Sequence, residues 1–321
     1  WGKAEESMIS HLKNTYPSIL ILIAIGALTG SWMSSGIIPS MIFYGLKIIH
    51  PVIFLPLCFV ISGIISLVTG SSWSTVGTFG VALLGAGQMI GMPTPWLAGA
   101  IISGAYFGDK MSPLSDTTNL AASFCGVPLF THIKYMLVNT VPVFLICLVI
   151  YSIAGFRIPT QNTIDIQEQL TALQNTFNIS GWLLLIPLIT IVLVIKKVPP
   201  FITLFLSAIA GALAAIFFQP QICGEIASNR LSAAIIMIST HVNIETGNEI
   251  LNNLTSTRGM AGMMNTVWLI LCVIGFAGVM TASGMIGVIT GNLLKLMRNT
   301  LSTIGSTLGT CIFFNMTLGD Q

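Results

Sequence analysis

The sequence predicts an all-α polytopic membrane protein, with inverted structural repeats, re-entrant hairpins and broken helices. Three observations carry this expectation. The 321 residues are 54% hydrophobic and only 7% charged, whereas ordinary soluble domains carry about 25% charged residues, so lipid must solvate most of the surface. Several apolar runs approach the roughly 20 residues that a crossing helix needs. One polar stretch, Gly104 to Asn119, interrupts these runs with Asp109, Lys110, Asp116, a proline and a dense set of hydroxyls.

Pro17 to Ser35 is a membrane-length run, and Ile37 to Ile49 is a shorter one that ends in Lys47 and His50, as a helix at the interface would. Pro51 to Val68 is the second full span. It dissolves into Thr69-Gly70-Ser71-Ser72-Trp73-Ser74-Thr75-Val76-Gly77-Thr78, whose glycines and hydroxyls favour unwound backbone, which bilayer depth tolerates only where protein or a water cavity satisfies it. Pro95 to Phe107 and Thr117 to Val127 are each too short to cross, and with the polar stretch between them they read as a re-entrant hairpin over 95–127, its tip near mid-membrane.

Val138 to Ala154 spans again, and Arg157 to Ser180 is polar, with a weakly amphipathic stretch around Ile164 to Leu173. Trp182 to Ile195 and Phe201 to Phe218 pair across the Lys196-Lys197 turn. Gln219 to Gly262 is mixed, Met263 to Ala282 spans, Met285 to Met297 is short and basic-ended, and Ile304 to Leu318 is the last run. The chain begins at Trp1 and stops just after an apolar run, so a piece trimmed at both ends is expected. The lysine turn at 196–197 is expected on the cytoplasmic side, with Lys13, His132 and Lys134.

An ungapped offset of 248 residues aligns Ser35-Gly36 with Ser283-Gly284, Gly30 with Gly278, Ile38 with Ile286, Leu46 with Leu294, Lys47 with Lys295 and Thr69 with Thr317. An odd number of crossings between the copies makes the repeat inverted, an architecture of secondary transporters. The expected organisation is a first repeat over 1–156, connecting spans and loops over 157–262, and the start of a second, inverted repeat over 263–321.

No basic run interleaved with aromatics supports nucleic-acid binding. The six cysteines are scattered, contain no CxxC pair and read as small buried hydrophobes. The four histidines do not cluster as metal ligands. An intramembrane aspartyl protease would need its two aspartates on separate spans, whereas Asp109 and Asp116 are seven apart. A channel is the harder alternative, because a re-entrant hairpin also suits a pore.

Of the ten acidic residues, Asp109, Asp116 and Asp320 fall at expected membrane depth. A carboxylate there is costly unless paired, protonated or facing water, so such residues mark ion and proton pathways. Asp109 and Lys110 can neutralise one another. Asp116 sits where a helix N-terminus favours an anion, although it or Ser115 can equally act as an N-cap. Ser115, Thr117, Thr118, Asn119, Thr69, Ser71 and Ser72 supply neutral oxygens. A hard monovalent cation suits such a set, and carboxylate with hydroxyl oxygens lets Na+ and H+ compete for one place.

The stretch Gly104 to Ala121 resembles the signature of the NhaC family of bacterial Na+/H+ antiporters, supported by Thr69 to Thr78, Arg258 to Met264 and the terminal Gly319-Asp320-Gln321. The resemblance implies a multi-pass transporter of the bacterial cytoplasmic membrane, of the ion-transporter superfamily, exchanging Na+ for H+ and not an enzyme. It also admits Na+/H+-coupled exchange of a small organic anion, of the malate/lactate type. On this reading Asp116 is the principal Na+ or H+ carrier, Asp109 and Lys110 form a charge-balancing pair, and Asp320 belongs to the second half-site. The expected partners are the lipid bilayer, Na+ and H+, with room for an organic ion and for homo-oligomerisation. No nucleic acid and no cofactor beyond the transported ions are expected.

Overall fold

In a computed structural model, the described residues are 2–48, 51–124, 126–158, 166–196, 198–247, 251–252, 255–295 and 299–318. The backbone over them is helical apart from turns and one isolated antiparallel bridge between Val242 and Thr257. Among the described residues, five helices are long and apolar enough to cross a membrane, and two further helix pairs, bent by 93° and 76°, qualify when each is taken as one broken span. The protein is therefore a multi-pass membrane protein. Two compact units form, one from Ala24–Gly262 and one from Trp1–Ile23 with Met263–Gln321.

In the larger unit, helix α1 (Gly2–Ser34) arrives from the smaller one and breaks at Gly36, whose φ of +81° suits glycine. Helix α2 (Ile37–Ile48) follows, and its first half is buried, with Ile37, Ile38, Ile42 and Phe43 in the core. The interfacial position expected for this segment is thus replaced by a packed one. Gln219, itself buried, donates from Nε2 to the Ser35 carbonyl (3.3 Å) and to the Asn178 carbonyl (3.1 Å). One amide thereby satisfies backbone groups at two separate breaks, where no helical partner exists for them.

Helix α3 (Pro51–Thr69) ends at a bend through Gly70 (φ +69°) and Ser71. Helix α4 (Ser72–Thr75), a π-helical turn (Val76–Gly80) and α5 (Val81–Met89) then lead back, and α6 (Thr94–Met111) runs forward again. The tip Ser112–Ser115 precedes α7 (Asp116–Phe124) and the long α8 (Leu129–Arg157).

Two sequence expectations change here. Only Gly70 and Ser71 interrupt the helical backbone in the stretch expected to be unwound, because Thr75 and Thr78 return their hydroxyls to the carbonyls of Ser71 (2.9 Å) and Ser74 (2.6 Å) and the helix continues. The first hairpin arm is also longer than expected: α6 has 18 residues, about 27 Å at 1.5 Å per residue. Asp109 and Lys110 lie in its last turn and not in the tip.

The α3–α6 packing explains that extension. The two helices run parallel, with Phe59 beside Gly104 and Gly63 beside Gly108. A Cβ on Gly104 would overlap the Phe59 carbonyl oxygen, and one on Gly108 would overlap the Gly63 carbonyl oxygen. Glycines spaced four apart bring the backbones into contact, the small-residue packing that lipid-solvated helices use where hydrophobic burial supplies no drive. Helix α8 packs antiparallel to both, with Phe144 against Phe59 and Phe107, Tyr151 against Phe59, and Gly155 against Val52. Its outer face leaves Val138, Ile146 and Phe156 exposed, as lipid contact requires.

Helix α9 (Ile166–Thr176), a 3₁₀ turn (Gly181–Leu184), α10 (Leu185–Ile195) and α11 (Pro200–Phe218) follow, then the short α12 (Pro220–Ile226) and α13 (Arg230–Ser239). The hairpin tip shares a cavity with Val198, Pro199 and Pro200 of the α10–α11 turn. The tip therefore lies level with that turn and not midway along the unit. Lys110, in the last turn of α6, and Lys196, at the end of α10, consequently lie toward the same end of the unit.

In the smaller unit, α14 (Met264–Ala282) breaks at Gly284 (φ +74°) into α15 (Met285–Lys295), followed by α16 (Thr300–Leu318). The order follows that of α1, α2 and α3: among the described residues, helices of 12 and 11 residues follow the two glycine breaks, and helices of 19 residues follow those, although α1 has 33 residues and α14 has 19. Of the cysteines, Cys58 and Cys223 are buried, Cys147 is half-buried and Cys272 and Cys311 are exposed. The last two depart from the buried position expected of them, because an outward helix face in lipid accepts small apolar groups.

Candidate functional site

Two helix ends meet in the larger unit, the bend after α3 and the last turn of α6 with its tip. Gly70 makes the approach possible. Its φ of +69° is disfavoured for other residues, and a Cβ there would lie 2.7 Å from the Leu114 carbonyl carbon. The cavity between these elements, about 520 Å³, is lined by Thr69, Gly70, Ser71, Pro113, Leu114 and Asn119 together with the α10–α11 turn. The two polar stretches singled out in the sequence thus face one space.

Asp109 is the carboxylate at this junction. The Ser72 hydroxyl donates to its Oδ2 at 2.8 Å, across 37 residues of sequence. Its Oδ1 is buried and has no hydrogen-bond partner among the described residues. A buried acceptor left without a partner costs about 1–3 kcal/mol, and more when charged, so the oxygen is poised for a cation or a proton. Lys110, the expected counter-charge, is exposed, and among the described residues no ion pair joins it to Asp109. The expected Asp109–Lys110 pair does not form, because adjacent residues on a helix point some 100° apart.

The remaining candidates divide by role. Thr69 is buried, and its hydroxyl lies 3.3 Å from that of Thr75. Ser71 caps α4, accepting from the Ser74 amide at 3.2 Å, while Ser72 is buried and directed at Asp109. At the tip, Ser115 lies 2.9 Å from the Thr117 hydroxyl and accepts from the Thr118 amide at 3.5 Å, as an N-cap does. The buried Thr118 donates to the Lys110 carbonyl at 3.1 Å, satisfying an orphan group at the C-terminus of α6. Asn119 donates to the carbonyls of Ser115 (2.7 Å) and Pro113 (3.0 Å). Thr118 and Asn119 thus spend their donors on holding the tip, and Thr117 is exposed. Asp116 begins α7, and its side chain lies outside the described residues, as does Asp320 entirely.

Sequence reading missed two serines. Ser62 and Ser66 on α3 are fully buried, and their hydroxyls have no partner among the described residues. They sat inside an apolar run taken as span filler. Their spacing of four, flanking Gly63, was the available signal.

Residues 104–321 match the model of the Na+/H+ antiporter family. The chain is similar to the malate-2H(+)/Na(+)-lactate antiporter of Bacillus subtilis, at 37% identity over 94% of this chain and 64% of that protein. It is 36% identical to the Na(+)/H(+) antiporter NhaC of Alkalihalophilus pseudofirmus over 100% of this chain and 68% of the relative. The arginine/ornithine antiporter ArcD of Halobacterium salinarum is 33% identical over 97% of this chain and 64% of its own length. The chain thus spans about two thirds of the length of these relatives. No solved structure matches. These relatives are named as antiporters, and the multi-pass fold agrees with them: the chain belongs to the Na+/H+ antiporter family, as an integral protein of the cytoplasmic membrane.

Proposed function

We propose that this protein exchanges Na+ for H+ across the bacterial cytoplasmic membrane, with the Asp109 carboxylate loaded alternately by the two ions. The supporting observation is the divided carboxylate: one oxygen held by Ser72, the other buried and without a partner among the described residues. A proton neutralises the group and removes its desolvation cost. Na+ achieves the same by coordination, drawing further oxygens from the hydroxyls of the α3 bend. Because either ion suffices and both cannot bind together, loading one expels the other. Asp116, at the N-terminus of α7, is the second carboxylate of this reading, and Lys110 an exposed anchor at the same end. Movement of one repeat-built bundle against the other supplies alternating access. No cofactor takes part.

The 520 Å³ cavity beside Thr69 and Asn119 favours one second reading. It has room for a small organic ion travelling with Na+, as the printed names of the malate/lactate and arginine/ornithine relatives describe for those proteins. Everted vesicles carrying the full-length protein and a ΔpH-sensitive dye separate the two readings. Na+ alone is expected to dequench the dye with saturable dependence. A requirement for malate with lactate, or for arginine with ornithine, establishes the second reading instead. Ohmic Na+ current without proton coupling contradicts both.

A further inference from the structure

A serine in a membrane helix ordinarily returns its hydroxyl to the carbonyl three or four residues back. Ser31, Ser103 and Ser152 do so here, with oxygen–oxygen distances of 3.1, 2.6 and 2.7 Å. Ser62 and Ser66 do not. Both are 0% exposed, and neither hydroxyl has a partner among the described residues. Spaced four apart, they lie on one face of α3. Ser66 stands at the glycine seam, where a Cβ on Gly108 would come within 2.8 Å of the Ser66 Cβ. Asp109 is the next residue of α6, and its Oδ1 is orphaned in the same way.

Two buried oxygens without partners among the described residues, Ser66 Oγ and Asp109 Oδ1, therefore belong to neighbouring positions of the α3–α6 seam, and Ser62 lies one turn back on the same face of α3. The small residues Gly63, Gly104 and Gly108 hold that seam narrow. Buried hydroxyls without partners among the described residues also occur at Ser34, Ser40 and Thr257. What distinguishes Ser66 is its place beside Gly108, which puts unspent lone pairs next to the residue that carries the carboxylate.

Resting on the assignment of Asp109 above, we infer that Ser66 is a cation ligand completing the Asp109 site, and that Ser62 is the next oxygen along the path by which the dehydrated cation enters or leaves it. The ligand class is a small monovalent cation. The tight backbone approach disfavours a larger one, so the pair also contributes to selection of Na+ over K+. Ser66 acts on the cation half of the cycle, because a neutral hydroxyl does not titrate with the carboxylate.

The test is Na+-dependent exchange by the full-length protein in everted vesicles, recorded as half-saturating Na+, maximal rate and pH profile. Ser66→Ala is expected to raise half-saturating Na+ about fivefold, the share of one neutral hydroxyl ligand, with the maximal rate and the pH profile at saturating Na+ retained. Ser62→Ala should give a smaller shift in the same parameter, and it carries the test if Ser66→Ala fails to reach the membrane. Unchanged half-saturating Na+ in the variants that reach the membrane overturns the inference while leaving Asp109 standing. Full exchange by Asp109→Asn removes the site itself, which is a distinguishable failure.

Discussion

Asp109→Asn is expected to reduce Na+-driven proton release in everted vesicles to background. The substitution keeps the size of the side chain and a hydrogen-bonding partner for Ser72, which donates to Oδ2 at 2.8 Å. It removes the charge and the titratable proton, the two properties exchange requires. Depriving a buried charge of its partner costs about 3–5 kcal/mol, and tenfold in affinity corresponds to roughly 1.4 kcal/mol. Na+ affinity should therefore fall about 100- to 4,000-fold, and the proton has no site to compete for. Lys110→Ala is the contrast: the ammonium is exposed and makes no ion pair among the described residues, so exchange should stay near wild type. Exchange by Asp109→Asn at wild-type level, with Asp116→Asn inactive, would return the principal role to Asp116.

Gly108→Ala should remove the protein from the membrane fraction. The added methyl would overlap the Gly63 carbonyl oxygen, lie 2.6 Å from the Leu67 amide nitrogen and lie 2.8 Å from the Ser66 Cβ. Two of these neighbours are backbone atoms of a packed helix and cannot rotate away. Overpacking typically costs about 1–3 kcal/mol, and this contact belongs at or above the upper end. Because the seam positions Asp109, any protein that does assemble should also exchange poorly. Gly63→Ala tests the geometry behind this claim. Its Cβ would meet nothing closer than the Gly104 carbonyl oxygen at 3.4 Å, an ordinary contact, so accumulation should be close to normal. Equal loss in both variants, read by immunoblot of membranes, would contradict the seam as described.

Much of the fold was legible because lipid imposes a strong constraint on sequence. Apolar runs near 20 residues marked α3, α11 and α14, and the glycine pairs at 36 and 284 marked real breaks. Legibility failed where tertiary packing overrode local composition. Asp109 and Lys110 looked like a polar tip, yet the Gly104–Gly108 contact with α3 and the Ser72 hydroxyl carry the helix through them. Thr69 to Thr78 looked unwound, yet hydroxyls returned to backbone carbonyls keep all but Gly70 and Ser71 helical. Ile37 to Ile49 looked interfacial because of its basic end, although its buried first half belongs to the core.

The site was half legible. Carboxylates within apolar sequence are rare enough to stand out, so Asp109 and Asp116 were found, as were the hydroxyls that hold the tip. Which oxygens lack partners is a property of packing and not of composition. Ser62 and Ser66, inside an apolar run, could not be told from filler, and Gln219 only opened a segment read as mixed, with nothing in the sequence to show its contacts with Ser35 and Asn178.

Proton release on Na+ addition to the purified full-length protein, in weakly buffered detergent solution, tests the central claim most directly. It observes competition between the two ions at one carboxylate without dependence on transport rates. The wild-type protein should acidify the medium saturably as Na+ is added, and Asp109→Asn should not. Undiminished acidification by Asp109→Asn would show that the exchanged proton resides elsewhere, and would contradict the account.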